Sequence, residues 1–234
     1  MKEPRGSSAV HYTGTDNLEV MADAVNYNQF LVDLVAQRTT PGQRILDFGA
    51  GVGTFAVRLS GLGRDTACVE PDGAQATLIR NMNLAVYEDV EQVEDQSIDF
   101  VYSFNVLEHI ADDTGTLKAL HRKLKPGGRL LLYVPAFASL YSSMDTKVGH
   151  LRRYRRGELI SKATAAGFVV TSASYVDCLG YFAAMIYKYA GPKDGSLNPI
   201  SVQLFDRYAF PASRVLDNVF GRLIGKNLLL LAHR

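Results

Sequence analysis

Cysteine is scarce in this chain of 234 residues. Cys68 and Cys178 are too few for a disulfide framework and lack the CxxC spacing of a metal or redox motif, so a reducing compartment is expected. An excess of one charge is also missing: 25 Lys plus Arg stand against 24 Asp plus Glu. That balance argues against a protein held to nucleic acid by bulk charge, because phosphate binding draws on clustered Lys and Arg. There is no apolar run of bilayer length, and residues 178–186, the nearest approach, are too few to span one. The first eight residues carry Lys2, Glu3 and Arg5 around no apolar stretch, which does not read as a secretory signal. Internal repeats and low-complexity tracts are absent too. What remains is a composition 47% apolar and 21% charged, that of a soluble globule with one sizeable core, and a cytoplasmic location is expected.

Hydrophobic periodicity then sets out the elements. A helix is predicted from about Asp16 to the stop at Thr39-Thr40-Pro41-Gly42, with Met21, Ala24, Asn28, Leu31, Val32 and Val35 at helical intervals. Short apolar strands are expected at 44–48, 66–70, 84–87, 97–103 and 129–135, with further strands near 168–170 and 227–232. Helical segments separate them at about 55–59, 74–82, 112–124 and 158–166, and Pro126-Gly127-Gly128 reads as a turn. Alternation of this kind predicts an α/β fold with a doubly wound, mostly parallel sheet. Ligands of such sheets bind at the carboxyl ends of the strands.

One domain is expected, in four parts: an N-terminal cap segment over 1–38, a core over 40–175, an insertion over 176–225 and a last strand over 226–234. The insertion is far longer than a normal crossover and is rich in aromatics, among them Tyr181, Phe182, Tyr187, Tyr189, Phe205 and Phe210. Three readings stay open for it: helices packed onto the body, a lid over an apolar substrate, or a homodimer face.

The turn after the first strand is the most informative segment. Gly49, Gly51 and Gly53 let the backbone turn tightly and approach a ligand closely, beside the free N–H groups of a helix start. A dinucleotide fingerprint needs its third glycine at position 54, which is Thr here, and this weighs against an NAD-dependent oxidoreductase. Asp47, two residues before the first glycine, suits a cationic group rather than a pyrophosphate. Glu70, ending the second strand, is placed to accept both hydroxyls of a ribose.

These residues, Asp47-Phe48-Gly49-Ala50-Gly51-Val52-Gly53 and Glu70, occur with Asp99-Phe100-Val101-Tyr102-Ser103-Phe104-Asn105-Val106-Leu107-Glu108-His109-Ile110 and Leu124-Lys125-Pro126-Gly127-Gly128. Together they resemble the motifs of class I S-adenosylmethionine-dependent methyltransferases, in order and spacing, over roughly residues 40–175. The resemblance implies a Rossmann-like sheet of seven strands, the last antiparallel, with S-adenosyl-L-methionine as cofactor. It further implies that Gly49, Ala50, Gly51 and Gly53 wrap the methionine part and that Glu70, followed by Pro71, holds the ribose. Adenine would lie near Glu88 and Asp89, and Asn105 would border the site. A second resemblance, to a bacterial subgroup often found beside glycan and lipid biosynthesis genes, is carried by Tyr12-x-Gly14, Asn26-Tyr27-Asn28 and Gly149-His150-Leu151-Arg152-Arg153-Tyr154. The implied acceptor is a small molecule or a lipid or glycan intermediate. A nucleic-acid acceptor is not expected, because the turn after the fourth strand reads Ser103-Phe104-Asn105-Val106 rather than Asn/Asp-Pro-Pro-aromatic.

Methyl transfer from a sulfonium needs mainly proximity and alignment, with a base where the acceptor is a hydroxyl. His109, after the fourth strand, is the first candidate and His150 the second. Glu108 and His109 resemble part of the acidic and histidine cluster of ubiquinone-type O-methyltransferases, in which a divalent ion has been invoked. The further acid of that cluster is Asn105 here, and an adjacent Glu-His pair is a thin ligand set, so no metal is expected. The basic run 147–156 contains the candidate acceptor contacts Arg152, Arg153 and Tyr154, to which Tyr12 is added from the N-terminal segment. A structural pair with Asp145 is the rival role for these arginines. A non-catalytic module that binds the cofactor is the alternative to an enzyme.

Overall fold

The computed structural model describes residues 15–234; Tyr12 and Gly14 lie outside the described residues. Two helices open it, α1 (Thr15–Ala22) and α2 (Val25–Ala36), where the periodicity predicts one. The break falls at Asp23 and Ala24, and Asn28 secures it by donating through Nδ2 to the carbonyls of Met21 and Ala22.

Strand β1 (Arg44–Phe48) leads through the glycine turn into α3 (Thr54–Gly61). There follow β2 (Asp65–Val69), α4 (Gly73–Asn81), β3 (Ala85–Tyr87), β4 (Ile98–Phe104), α5 (Asp113–Lys123) and β5 (Leu124–Pro135). The chain continues through α6 (Ser143–Val148), α7 (Arg156–Ala165) and β6 (Val169–Val176). The insertion forms α8 (Cys178–Ala190), α9 (Pro199–Leu204), a π-helical turn (Phe205–Ala209) and α10 (Phe210–Phe220) before β7 (Asn227–His233).

The seven strands form one sheet in the order β3-β2-β1-β4-β5-β7-β6. Its first five strands are parallel, and β7 runs antiparallel to both β5 and β6. Alternation explains the doubly wound layers: Ile45, Phe100, Tyr102 and Leu131 face α2 and α3, while Leu46, Val101, Leu130 and Leu132 face α5 and α7. Both faces are therefore apolar, as a sheet covered on both sides requires.

Three local expectations need correction. Pro126-Gly127-Gly128 is not a turn ahead of the strand but part of β5, which starts at Leu124 opposite Ile98 and absorbs the irregularity as a register shift. Near 168–170 the strand is longer than expected, because β6 pairs with β7 as far as Val176 opposite Asn227. Helix α6 has no counterpart in the predicted elements; a capping box between Ser142 and Asp145 starts it and Gly149, at φ +80°, stops it.

Candidate functional site

At the carboxyl edge of the sheet the backbone is held in unusual conformations. Gly49 follows β1 at φ +81°. The non-glycine residues Asn105, Phe137 and Asp177, with φ of +54°, +58° and +62°, follow β4, β5 and β6. Strain of this kind collects where a fold holds a functional geometry.

The glycine turn is fixed by Val69, whose carbonyl accepts from the amides of both Gly49 (2.9 Å) and Ala50 (3.1 Å). A Cβ on Gly49 would stand 2.4 Å from a methyl of Val106, so the loop after β4 also requires glycine there. Glu70 ties the turn from the other side. Its buried carboxylate accepts from the Gly51 amide at 2.7 Å and the Asp72 amide at 2.9 Å. Burial raises its pKa despite these two bonds.

Asp47 is buried beneath this turn, opposite Tyr102 in the sheet. Its Oδ2 has no hydrogen-bond partner within ordinary distance among the described residues, and burial pushes its pKa up to about 7, opposed by the nearby Tyr102 hydroxyl and helped by the charge of Glu70. A buried carboxylate left this way is costly unless a cation or donor satisfies it. Glu88 and Asp89 follow β3 on the same edge: Glu88 pairs with Arg80 at 3.2 Å, and Asp89 caps a short 3-10 turn. Pro71 is exposed beside Glu70. Asn105, held by its amide to the Tyr133 carbonyl at 2.8 Å, donates through Nδ2 to the Tyr27 hydroxyl at 3.2 Å.

Beside this turn the fold assembles a second cluster. Leu107–His109 form a 3-10 turn after β4, with Glu108 fully buried. Both Glu108 carboxylate oxygens lack hydrogen-bond partners among the described residues, and burial pushes its pKa up to about 8. His150 Nε2 lies 3.6 Å from Glu108 Oε1, and the His109 and His150 rings meet edge to face at 4.7 Å. Burial, with His150 as a neighbour, lowers the His109 pKa to about 4 and keeps that ring neutral. His150 Nδ1 sits 2.6 Å from Asp145 Oδ1. Burial alone would raise the Asp145 carboxyl, but hydrogen bonds from His150 and Arg153 outweigh it and hold the pKa at about 2. The anionic Asp145 can only accept, so His150 donates to it through Nδ1 and Nε2 is left turned toward Glu108. One ligand atom from each of Glu108, His109 and His150 lies within 4.8 Å of the others, close enough for a divalent cation. The adjacent pair and His150 were each legible in sequence; that the three meet came only with the fold.

The basic run takes mostly the structural alternative. Arg153 is buried and grips Asp145 with two prongs, Nε at 2.8 Å and Nη2 at 2.9 Å. Tyr154 is fully buried, its hydroxyl donating to Asp113 Oδ2 at 2.9 Å. Neither side chain faces solvent where an acceptor could meet it. Arg152 keeps partial exposure but pairs with Asp113 at 2.7 Å. Sequence reasoning missed Asp113, the buried acid on which Arg152, Tyr154 and Lys162 converge. It also missed the aromatic wall of Phe137, which stacks on Tyr175 at 4.5 Å and meets Tyr181 at 5.6 Å.

A seven-stranded sheet in this order, with a glycine turn after its first strand and an acid just after its second, is the arrangement of the S-adenosylmethionine-dependent methyltransferases. The chain belongs to the methyltransferase domain family, whose model matches residues 19–173. It is 32% identical over 116 residues to a ubiquinone biosynthesis O-methyltransferase from Xanthomonas oryzae pv. oryzae, covering 45% of this chain and 48% of that protein. The chain thus spans about half the length of the curated relatives it matches. Phosphoethanolamine N-methyltransferase 2 from Haemonchus contortus, solved with phosphomonomethylethanolamine and S-adenosylhomocysteine, shares the fold at a TM-score of 0.62 and 15% identity, over 99% of this chain and 61% of that one. An S-adenosylmethionine-dependent methyltransferase from Archaeoglobus fulgidus does so at 0.60 and 15%, over 88% and 94%.

Proposed function

We propose that this protein transfers a methyl group from S-adenosyl-L-methionine to an oxygen or nitrogen of a small-molecule, lipid or glycan-intermediate acceptor. The observation that carries the reading is the pair of buried acids at the glycine turn, in a chain of this family. Asp47, with its unpartnered oxygen, suits the ammonium of the methionine part. Glu70 keeps lone pairs beyond its two amide bonds and suits the ribose hydroxyls. Gly49, Ala50, Gly51 and Gly53 would line the methionine part, Pro71 the ribose side, and Glu88, Asp89 and Asn105 the rest of that edge.

When bound, S-adenosyl-L-methionine supplies an electrophilic methyl group on a sulfonium; the chain's task is to align an acceptor with it. His109 and His150 are the proposed proton-accepting groups. Burial keeps the ring of His109 neutral, and Asp145 holds His150 with Nε2 turned toward the same cluster. A hydroxyl acceptor is favoured over an amine, since a base serves it most. Arg152, more open than Arg153, remains the proposed contact for an anionic acceptor group, and the proposed role of Tyr12 concerns a residue outside those described.

The test is single-turnover loss of the labelled methyl group to hydroxylated and anionic acceptors. Transfer that falls in His109→Ala and His150→Ala, with cofactor affinity retained, is expected. Cofactor binding with no transfer to any acceptor class would leave the non-catalytic module in its place.

A further inference from the structure

Three helices of the insertion turn apolar side chains to solvent. On α8, Phe182, Met185, Ile186 and Tyr189 stand at helical intervals of three and four, and all four are exposed. Through α9 and the π-helical turn the same spacing gives Ile200, Leu204 and Tyr208, and along and just beyond α10 it gives Val215, Val219 and Leu223. The exposures are large: 68% for Ile186, 80% for Tyr189 and 69% for each of Val215, Val219 and Leu223. Among the described residues, eleven of the nineteen exposed large apolar side chains lie between Phe182 and Leu223. An apolar concentration of this kind on a water-soluble fold marks an interaction surface.

Charge decides among the occupants. Over residues 178–226 there are six Lys plus Arg against three Asp and no Glu, in a chain that is otherwise balanced. Two of those acids are occupied inside the fold. Asp206 is buried, accepting from the amides of Asn26 and Tyr27, and Asp217 accepts from the amides of Asp177 and Cys178 while pairing with Arg214. Only Asp194 remains exposed, against exposed Lys193, Arg207 and Arg222. Cations also border the stripes beside aromatic rings: Lys188 Nζ lies 5.9 Å from the Tyr189 ring centre and the Arg207 guanidinium 5.5 Å from that of Tyr208. A second copy of this chain would bring like charges together across a symmetric interface. No helix among the described residues is long and apolar enough to cross a membrane.

We propose that α8, α9 and α10 dock this protein on an anionic lipid surface, their apolar stripes entering the interface and Lys188, Lys193, Arg207 and Arg222 meeting the headgroups. Interfacial helices bind in this way, by apolar area plus attraction to anionic lipid. The surface also lies beside the candidate site. Helix α8 begins at the carboxyl end of β6, and Lys188 donates to the Ser139 carbonyl in the turn after β5. Docking would bring that edge of the sheet close to the bilayer. If methyl transfer holds, which this last step rests on, a lipid is the acceptor class it favours.

The experiment is cosedimentation of the full chain with phosphatidylcholine vesicles, with and without phosphatidylglycerol, at low and high salt. Binding should require the anionic lipid and weaken with salt. The double variants Ile186→Ser/Tyr189→Ser and Val215→Ser/Val219→Ser should each lose about tenfold in partitioning, as should Arg207→Glu/Arg222→Glu. Val57→Ser, which removes an exposed apolar side chain from α3, should not. S-adenosylhomocysteine titration of every sample reports separately whether the fold and the cofactor reading stand. Vesicle binding that ignores the stripe variants or the lipid charge would overturn the proposal. So would a dimer that binds no vesicles and dissociates in those same variants.

Discussion

Replacing Gly49 with Ala tests the geometry on which the candidate cofactor site is built. The new Cβ would lie 2.4 and 2.6 Å from the two methyl groups of Val106, in a residue held at φ +81°. The left-handed backbone costs a residue with a Cβ about 1–2 kcal/mol. Overpacking against Val106 adds about 1–3 kcal/mol. The sum, ~2–5 kcal/mol, corresponds to a fall in Tm of ~4–20 °C for a chain of this size. A double-mutant cycle separates the two contributions. Val106→Ala in the Gly49→Ala background should restore the packing part but not the backbone part, giving a coupling of about 1–3 kcal/mol. Thermal or urea unfolding measures the stability, and S-adenosylhomocysteine calorimetry measures the loop, since a turn displaced from Val69 should lose affinity. A variant that melts with the parent protein, or a double variant whose effects simply add, would refute the close-approach argument.

Other consequences can be measured. Arg153→Ala leaves Asp145 buried without its two-pronged partner and should cost about 3–5 kcal/mol, with Arg153→Lys rescuing little because a lysine cannot reproduce the fork; an unchanged melt would return Arg153 to the acceptor-contact role. The Asp145 pKa is depressed from 3.8 to about 2, so its stabilising contribution of about 2 kcal/mol is present above pH 4 and is lost as pH falls toward 2. Glu108 has the opposite sign. Its pKa is raised from 4.5 to about 8, so its favourable protonated state is lost as pH rises across that window, and Glu108→Gln should flatten the corresponding decline in stability measured by urea unfolding. Exhaustive chelation should leave methyl transfer intact if Glu108, His109 and His150 handle protons. Complete loss restored by a divalent ion would reassign the trio as ligands.

The sheet was largely legible because each strand is a short apolar run bounded by turn residues, and because the glycine turn needs backbone freedom that only its sequence supplies. Local patterning failed where long-range pairing decides. Leu124 joins β5 only because Ile98 lies opposite it, so Pro126-Gly127-Gly128 read as a turn. In the basic run, charge density suggested an anion site, yet Asp145 and Asp113, placed by different elements, draw Arg153 and Tyr154 inward. The meeting of His150 with Glu108 spans forty-two positions and has no local signal. For the insertion, length and aromatic content were visible in the sequence. The direction its stripes face was not, since helical periodicity marks a face without saying what covers it.

The central claim is that the turn at 49–53, with Asp47 and Glu70, holds S-adenosyl-L-methionine, and calorimetric titration with S-adenosylhomocysteine against an NADH control tests it most directly. Micromolar binding of S-adenosylhomocysteine alone is the predicted result, sharply weakened in Asp47→Ala and Glu70→Ala. At a hundredfold excess over Kd it should also add ~2.7 kcal/mol of apparent stability in a thermal melt. A folded sample that binds no S-adenosylhomocysteine, or binds it equally well without the two acids, would contradict the account.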